Sequence, residues 1–391
     1  MKLSVNIARL IVGLLFIFSG LVKANDPLGL NYKMHEFFEI WGVTAFNSWS
    51  LAFAVLMNAF EIIAGVALLL GWRIRLFSWL LLLLILFFTF LTGYTYYTGK
   101  PANCGCFGDC LPISSGTSFL KDVVLTLLIA FILIKRHYIK PIFGERVTVI
   151  AMMLAAVFSF GLQWYTLTYL PVVDCLPFKK GNNIPEKMKI PAGALPDSFA
   201  IRFVYEKGGK QYEFEPAELP VDLDTYTYLS RTDKLVRQGN AQPPIKGFAL
   251  KGVTDTDSTT EVLAAPYALL IFCEDFSVSP SEWQQEFTPL YQAAVARSIP
   301  AYLITSRMNE APAMIAGTPF AGIQVFGCDP VAIRTAARTN PCAYLIKEGT
   351  VLAKEGQKRM NLMLNDIEKI PAQAKQVPVT DTISLPITPQ P

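Results

Sequence analysis

Residues 49–97 read WSLAFAVLMNAFEIIAGVALLLGWRIRLFSWLLLLLILFFTFLTGYTYY, two long apolar stretches divided by Gly71-Trp72-Arg73-Ile74-Arg75. Each stretch is about as long as a helix needs to cross the hydrocarbon of a bilayer, roughly 20 residues. Lipid cannot satisfy free backbone N–H and C=O groups, so such stretches must be helical. Working outward, further apolar runs lie at 3–22, 119–134 and 147–170. With the pair at 49–70 and 76–97 they make five expected spans. The first run has Lys2 and Arg9 ahead of its apolar core, but Val22-Lys23-Ala24-Asn25 follows instead of a small-x-small cleavage site. It is therefore read as a retained helix.

Composition agrees. Of 391 residues 52% are hydrophobic and 17% charged, against about a quarter charged in soluble domains. The apolar excess falls in the first 170 residues, so one part belongs in lipid and one in water. A net charge of +3 with no basic patch interleaved with aromatics excludes a nucleic-acid partner. The loops assign sidedness. Lys2 and Arg9, then Arg73 and Arg75, then Lys135, Arg136, Lys140 and Arg146 all fall on one side of a five-span chain. That side is expected to be cytoplasmic, which sends the loops at 24–48 and 98–118, and everything after Leu170, outward.

Two features point to chemistry. Glu61 lies inside the second span, where an ionisable group is costly and is by default a candidate proton site. Asn58, one turn earlier, is positioned to share its hydrogen bonds. The bland alternative is a protonated Glu61 that only fixes helix packing. The second feature is the outward loop Pro101-Ala102-Asn103-Cys104-Gly105-Cys106-Phe107-Gly108-Asp109-Cys110, with Cys175 expected on the same side and within reach of these thiols if the fifth span packs beside the third or fourth. Thiols in an oxidising compartment suggest disulfides. Three readings stand together: structural staples, a redox-active dithiol among Cys104, Cys106 and Cys110 with Cys175 as partner, or a thiolate metal site. Absence of a nearby histidine and of paired C-x-x-C spacing counts against the metal.

Beyond Leu170 the pattern changes. Residues 172–242 form a polar bridge with a β-hairpin around Gly208-Gly209 and a further strand at 226–236. From 243 to 375, strand-length apolar runs at 267–273, 300–305, 323–327, 342–346 and 350–353 alternate with helical segments at 279–297, 309–316, 329–338 and 359–370, which predicts a sheet covered by helices. Ser279-Pro280-Ser281-Glu282 opens the longest helix. Residues 376–391 read as a disordered tail.

The stretch from Arg9 to Lys23, with its Gly13 and Gly20, resembles the first helix of DoxX-type membrane proteins. Cys104-Gly105-Cys106-Phe107-Gly108 resembles the motif of the related methylamine-utilisation MauE family. The resemblance covers roughly the first 135 to 170 residues. It implies a four-helix core over 1–135 tied to thiol or disulfide metabolism, broadly analogous to vitamin K epoxide reductase-like bundles, in a bacterial cytoplasmic (inner) membrane. This chain adds a loop and fifth helix at 136–171 and the outer part. The order of elements from 243 onward resembles the thioredoxin fold, in which Pro341 would be a cis-proline beside the active site. The usual Cys-x-x-Cys is missing, since Cys273 has no second thiol two residues on, so the resemblance implies a binding-type domain. Cys273 with Cys342 and Cys328 with Cys342 are the alternative pairings, and a small buried hydrophobe is the bland reading of Cys273.

The expectation is therefore a membrane α-helical bundle followed by an extracytoplasmic α/β thioredoxin-like domain, acting as a redox-associated envelope protein with a thiol-disulfide oxidoreductase-like activity or, alternatively, as a non-enzymatic scaffold. Its partners are the lipid bilayer and another envelope protein. No cofactor motif is evident, and a membrane quinone is the electron acceptor the setting would offer.

Overall fold

The computed structural model describes residues 1–101, 105, 108–111, 113–195, 198–237, 239 and 241–373. Cys104, Cys106 and the tail at 376–391 lie outside the described residues.

Among the described residues, five helices have the length and hydropathy to cross a membrane: α1 (Lys2–Asn25), α3 (Ser50–Leu70, preceded by a 3-10 turn Thr44–Trp49), α4 (Ile74–Thr98), α5 (Ser115–Ile134) and α6 (Glu145–Thr168). Between α1 and α3 runs α2 (Pro27–Ile40). The outward sides of the spans carry Leu83, Leu127, Leu154 and Val157, all exposed, as lipid-facing residues are. The chain is a membrane protein. α1 and α3 form the central seam. A Cβ on Gly65 would stand 2.8 Å from the Gly13 carbonyl oxygen, and one on Gly13 would run into Leu69. Paired glycines let two backbones approach where lipid provides no hydrophobic drive for helices to associate. α4 packs on α5, and α6 packs on α3 and α1. The fifth span thus packs on the first and second rather than beside the third or fourth, and Cys175 reaches Cys110 all the same. The polar face of α6 explains this packing: Asn58 donates to Gln163 Oε1 (3.2 Å), Gln163 donates to the Val55 carbonyl (3.1 Å), and Thr166 donates to the Ala24 carbonyl (3.1 Å).

The helix α2 interrupts what reads as a loop. Asp26 caps it, its carboxylate accepting from Gly29 N, and Pro27 occupies the first turn. Leu30, Met34, Phe37, Phe38 and Trp41 recur at helical spacing and face the bundle, where they line a cavity with α3 and α4.

Past α6 come the short α7 (Ile184–Lys187) and an antiparallel sheet of β1 (Ser198–Lys207), β2 (Lys210–Phe214) and β3 (Thr227–Arg237) in the order β2-β1-β3. Its hairpin turns at Gly208 and Gly209, both at positive φ. The α/β part contains α8 (Thr259–Ala264), β4 (Ala268–Phe272), α9 (Pro280–Ala296), β5 (Ala301–Thr305), α10 (Ala311–Ile315), β6 (Gln324–Gly327), α11 (Pro330–Ala336), β7 (Cys342–Lys347), β8 (Thr350–Gly356) and α12 (Leu364–Glu368). Sheet order is β6-β5-β4-β7-β8, with β4, β5 and β6 parallel and β7 and β8 antiparallel. Every residue of β4 is buried because both sheet faces are covered. Leu270, Phe272 and Tyr344 face one core with Phe178 and Phe248, while Leu269, Ile271 and Leu345 face Trp283 and Phe287 of α9. The helix expected over 359–370 is instead a 3-10 turn (Met360–Met363) followed by α12. The tighter winding brings Met360 and Met363 onto one face, and both are buried.

The α/β part is fastened to one end of the bundle. Arg338, 4% exposed, donates from Nε to both oxygens of Asp26 (3.0 and 2.9 Å). Lys354 pairs with Asp174 (2.7 Å), and the Arg359 guanidinium lies 4.0 Å from the Tyr169 ring centroid. Asn25 exchanges two hydrogen bonds with the backbone of Val173. At the opposite end, Ile142 N bonds the Leu70 carbonyl, bringing the loop at 135–144 against the Arg73 turn. The basic loops thus share one end of the bundle and the α/β part sits at the other.

Arg338→Ala would leave the capping carboxylate of Asp26 without its guanidinium. The expected cost is about 3 kcal/mol, read as a drop of several degrees in the thermal midpoint of the detergent-solubilised protein. An unchanged midpoint would mean that docking does not depend on this pair.

Candidate functional site

The candidate site lies at the end of the bundle that holds the α/β part. Lys23, in the last turn of α1, forms an ion pair with Glu61 of α3; their side chains are 3% and 1% exposed. The Lys23 ammonium also lies 4.6 Å from the ring centroid of Phe88 on α4. The expected Asn58 network is corrected here: Asn58 turns to Gln163, and Glu61 takes Lys23. Low dielectric strengthens such a pair, and the ammonium has no alternative partner in lipid. Beside it, Asp122 of α5 accepts from Thr92 (3.1 Å) and pairs with Lys121 (2.8 Å). A small cavity of about 30 Å³ lies between the two pairs, where Lys23, Glu61, Lys121, Asp122 and Ser19 meet apolar walls that include Phe16, Ile85 and Leu125. It has room for a water, and Glu61 Oε2 is buried without a hydrogen-bond partner among the described residues. Neither Lys23 nor Asp122 is singled out by the sequence reading. The signal was there: each is an ionisable residue within a predominantly apolar helix of membrane-spanning length.

Above Lys23 opens an apolar cavity of about 470 Å³ among α2, α3 and α4, walled by Phe37, Trp41, Phe53, Phe60 and Phe87 and reaching Gly105. Gly105 is the residue between Cys104 and Cys106. It holds φ +68°, and a Cβ there would come within 2.9 Å of Lys33 Cγ on α2. No other residue type both tolerates that φ and fits against the Lys33 stem.

The seven cysteines separate into classes. Cys110 and Cys175 form a disulfide with Cα atoms 4.9 Å apart. It closes a separation of 65 residues, worth about 4 kcal/mol in the chain-entropy account, and ties the α4–α5 connection to the segment after α6. Cys273, Cys328 and Cys342 are free and buried. Cys273 lies among the side chains facing α9, while Cys328 and Cys342 lie in the core on the other sheet face. Phe272 and Cys342 are paired across β4 and β7, so Cys273, one residue on, turns away from Cys342. Cys328 and Cys342 share a core without being bonded. Burial pushes all three thiols from 9.0 up to about 12, with Asp275 and Glu274 adding to the rise at Cys273. At neutral pH they are protonated and poor nucleophiles. The Asn340-Pro341 peptide is cis. Asn340 accepts from Glu274 N and donates to Asp275, which fixes the segment after Cys273. Glu274 in turn pairs with Arg334 (2.6 Å). No cluster of three or more metal-ligating side chains occurs among the described residues, and the metal reading of the Cys104–Cys106 loop falls outside them.

The bundle is MauE-like: residues 1–135 match the family model described as methylamine utilisation protein MauE. The match runs through α1 to α5 and ends before α6. Residues 199–238 match a second family model, described as a domain of unknown function (DUF8463), which falls on the β1–β3 sheet. No curated protein and no solved structure matches the chain.

Two outcomes are expected. Glu61→Ala strands the Lys23 ammonium and should destabilise the MauE-like bundle by about 3 kcal/mol, whereas Lys23→Met combined with Glu61→Leu should recover most of that loss; thermal midpoints in detergent decide between them. The three buried thiols are more protonated folded than unfolded. Their contribution to stability is therefore fully present below pH 9 and is lost as pH climbs from about 9 towards about 12. Replacing all three by Ala should flatten that alkaline decline in a pH series of unfolding midpoints.

Proposed function

We propose that this MauE-like protein is a thiol-redox component of the bacterial inner membrane, in which Cys104 and Cys106 exchange disulfides with an envelope protein. The observation that carries the reading is the cysteine partition. Cys110 and Cys175 are committed to a staple, and Cys273, Cys328 and Cys342 are buried and protonated. That leaves Cys104 and Cys106, on either side of a glycine that rests at the mouth of the apolar cavity. Closing a disulfide across one intervening residue gives a small ring, and such disulfides are oxidising and labile. The basic loops gathered at the opposite end support a cytoplasmic N-terminus and an extracytoplasmic α/β part.

That α/β part is read as a thioredoxin-like domain of the binding type. Its β4–β5–β6 parallel strands, antiparallel β7–β8 hairpin and α9 support the likeness. The lone, buried Cys273 supports a role without exchange chemistry of its own.

The cavity's residues fit a membrane quinone. Aromatic and aliphatic walls suit an apolar ring and tail, and Lys23 supplies a donor at the inner end for a carbonyl oxygen. A bound quinone would take up the two electrons and two protons that leave when the Cys104 and Cys106 thiols close to a disulfide. The chain's own part is to exclude water around the ring, to hold the Lys23 ammonium in place through Glu61, and to keep Gly105 beside the opening.

The scaffold reading draws on the rigid docking through Arg338 and Asp26, which suits a domain that presents a partner without turnover. The two readings part on one experiment. Cys106→Ser should leave the Cys110–Cys175 bond and the thermal midpoint unchanged and shift the thiol state of envelope proteins, seen by acid-trapped alkylation. Unchanged thiol states in that well-folded variant would reject the redox role and leave the scaffold.

A further inference from the structure

A second opening reaches the same place from the water side. A groove of about 860 Å³ runs between α2 and the α/β part, floored in part by the stapled Cys175 and sharing Lys33 with the apolar cavity. Lys33 is the residue on which Gly105 rests. Gly105 is therefore anchored at a point between a polar groove and an apolar cavity.

The charge of the groove is one-sided. Lys33, Lys179, Lys187, Lys246, Arg334 and Arg338 line it, against Glu36 and Glu39. Lys33 is balanced by Glu36, Arg334 by Glu274 and Arg338 by Asp26. Lys179 and Lys187 have no acidic partner among the described residues, and Lys246 has only the amide oxygen of Gln242. Along α2 the lining extends from Gly29 to Glu39, eleven residues whose ten steps span about 15 Å at the helical rise. An extended chain rising about 3.3 Å per residue covers that length with about five residues. Leu176, Pro177, Pro244 and Val331 supply apolar contacts between the charges. The walls are set by the Cys110–Cys175 bond and the Arg338–Asp26 pair, so little ordering is required on binding.

We infer that this groove binds an extended acidic polypeptide segment and holds it near Gly105, the residue between Cys104 and Cys106 in the chain. The inference supplies the partner for the redox reading and rests on that reading only for its purpose, since the binding itself requires no thiol chemistry.

The test uses the full chain in zwitterionic nanodiscs and two cysteine-free, fluorescein-labelled ten-residue peptides, one rich in Asp and Glu and one neutral. Fluorescence anisotropy should show the acidic peptide binding about tenfold or more tightly at low salt, an advantage that shrinks as salt rises. Combining Lys179→Glu, Lys187→Glu and Lys246→Glu should erase the advantage, and Cys104→Ser with Cys106→Ser should leave it intact. Equal affinity of the two peptides for the unmodified chain overturns the inference without recourse to any variant. So does an advantage that survives the triple reversal at an unchanged thermal midpoint. Binding of phosphatidylglycerol vesicles in place of the acidic peptide would overturn it in favour of a lipid headgroup site. Failure of the redox reading appears elsewhere, as unchanged envelope thiols with peptide binding preserved.

Discussion

A charge in lipid has to find its partner within the protein, and here that partner is reached through the α1–α3 seam. Gly13 and Gly65 bring the two backbones close, and at the far end of the same seam Lys23 meets Glu61. The pair is costly to desolvate, so its value lies less in net stability than in fixing how far along each other the two helices sit. α6 then lays its polar stripe of Gln163 and Thr166 over α3 and α1. Register along the seam therefore determines where the end of α1 places Asp26, and Asp26 both caps α2 and receives Arg338.

From that corner the two parts of the chain become one object. α2 covers the apolar cavity with one face and walls the groove with the other. The α/β part contributes Arg334 and Arg338 to the same corner, their guanidinium groups 5.6 and 5.4 Å from the Tyr32 ring centroid. The end of the central strands β4 and β7, which bears Cys273, Glu274 and Asn340, is thereby linked through Arg334 to the membrane part, and the Cys110–Cys175 bond closes the arrangement covalently. The apolar cavity and the polar groove meet at Lys33, against which Gly105 packs.

Much of this was legible from residue pattern. Long apolar runs located the five spans, because no other conformation satisfies the backbone in lipid. Alternating strand and helix signals located β4 through β8, and Ser279 with Glu282 marked the start of α9 through the capping box that forms there. Gly208-Gly209 marked its hairpin. Less was legible in the connections. α2 is marginal as an isolated helix and is held by packing on α3 and by Asp26, both tertiary facts. The final helix divides because burying Met360 and Met363 together favours the tighter winding.

What the sequence determined by itself was inventory and local form: which segments enter lipid, which alternate as strand and helix, and which residues carry charge or sulfur. Hydrophobic periodicity and turn chemistry act over a few residues, so they can be read from a few residues. Pairing was decided only by the tertiary structure. Glu61 with Lys23, Cys110 with Cys175 and Arg338 with Asp26 join residues 38, 65 and 312 positions apart. The choice among such partners depends on helix packing and on where three chain segments end, and no local signal encodes it.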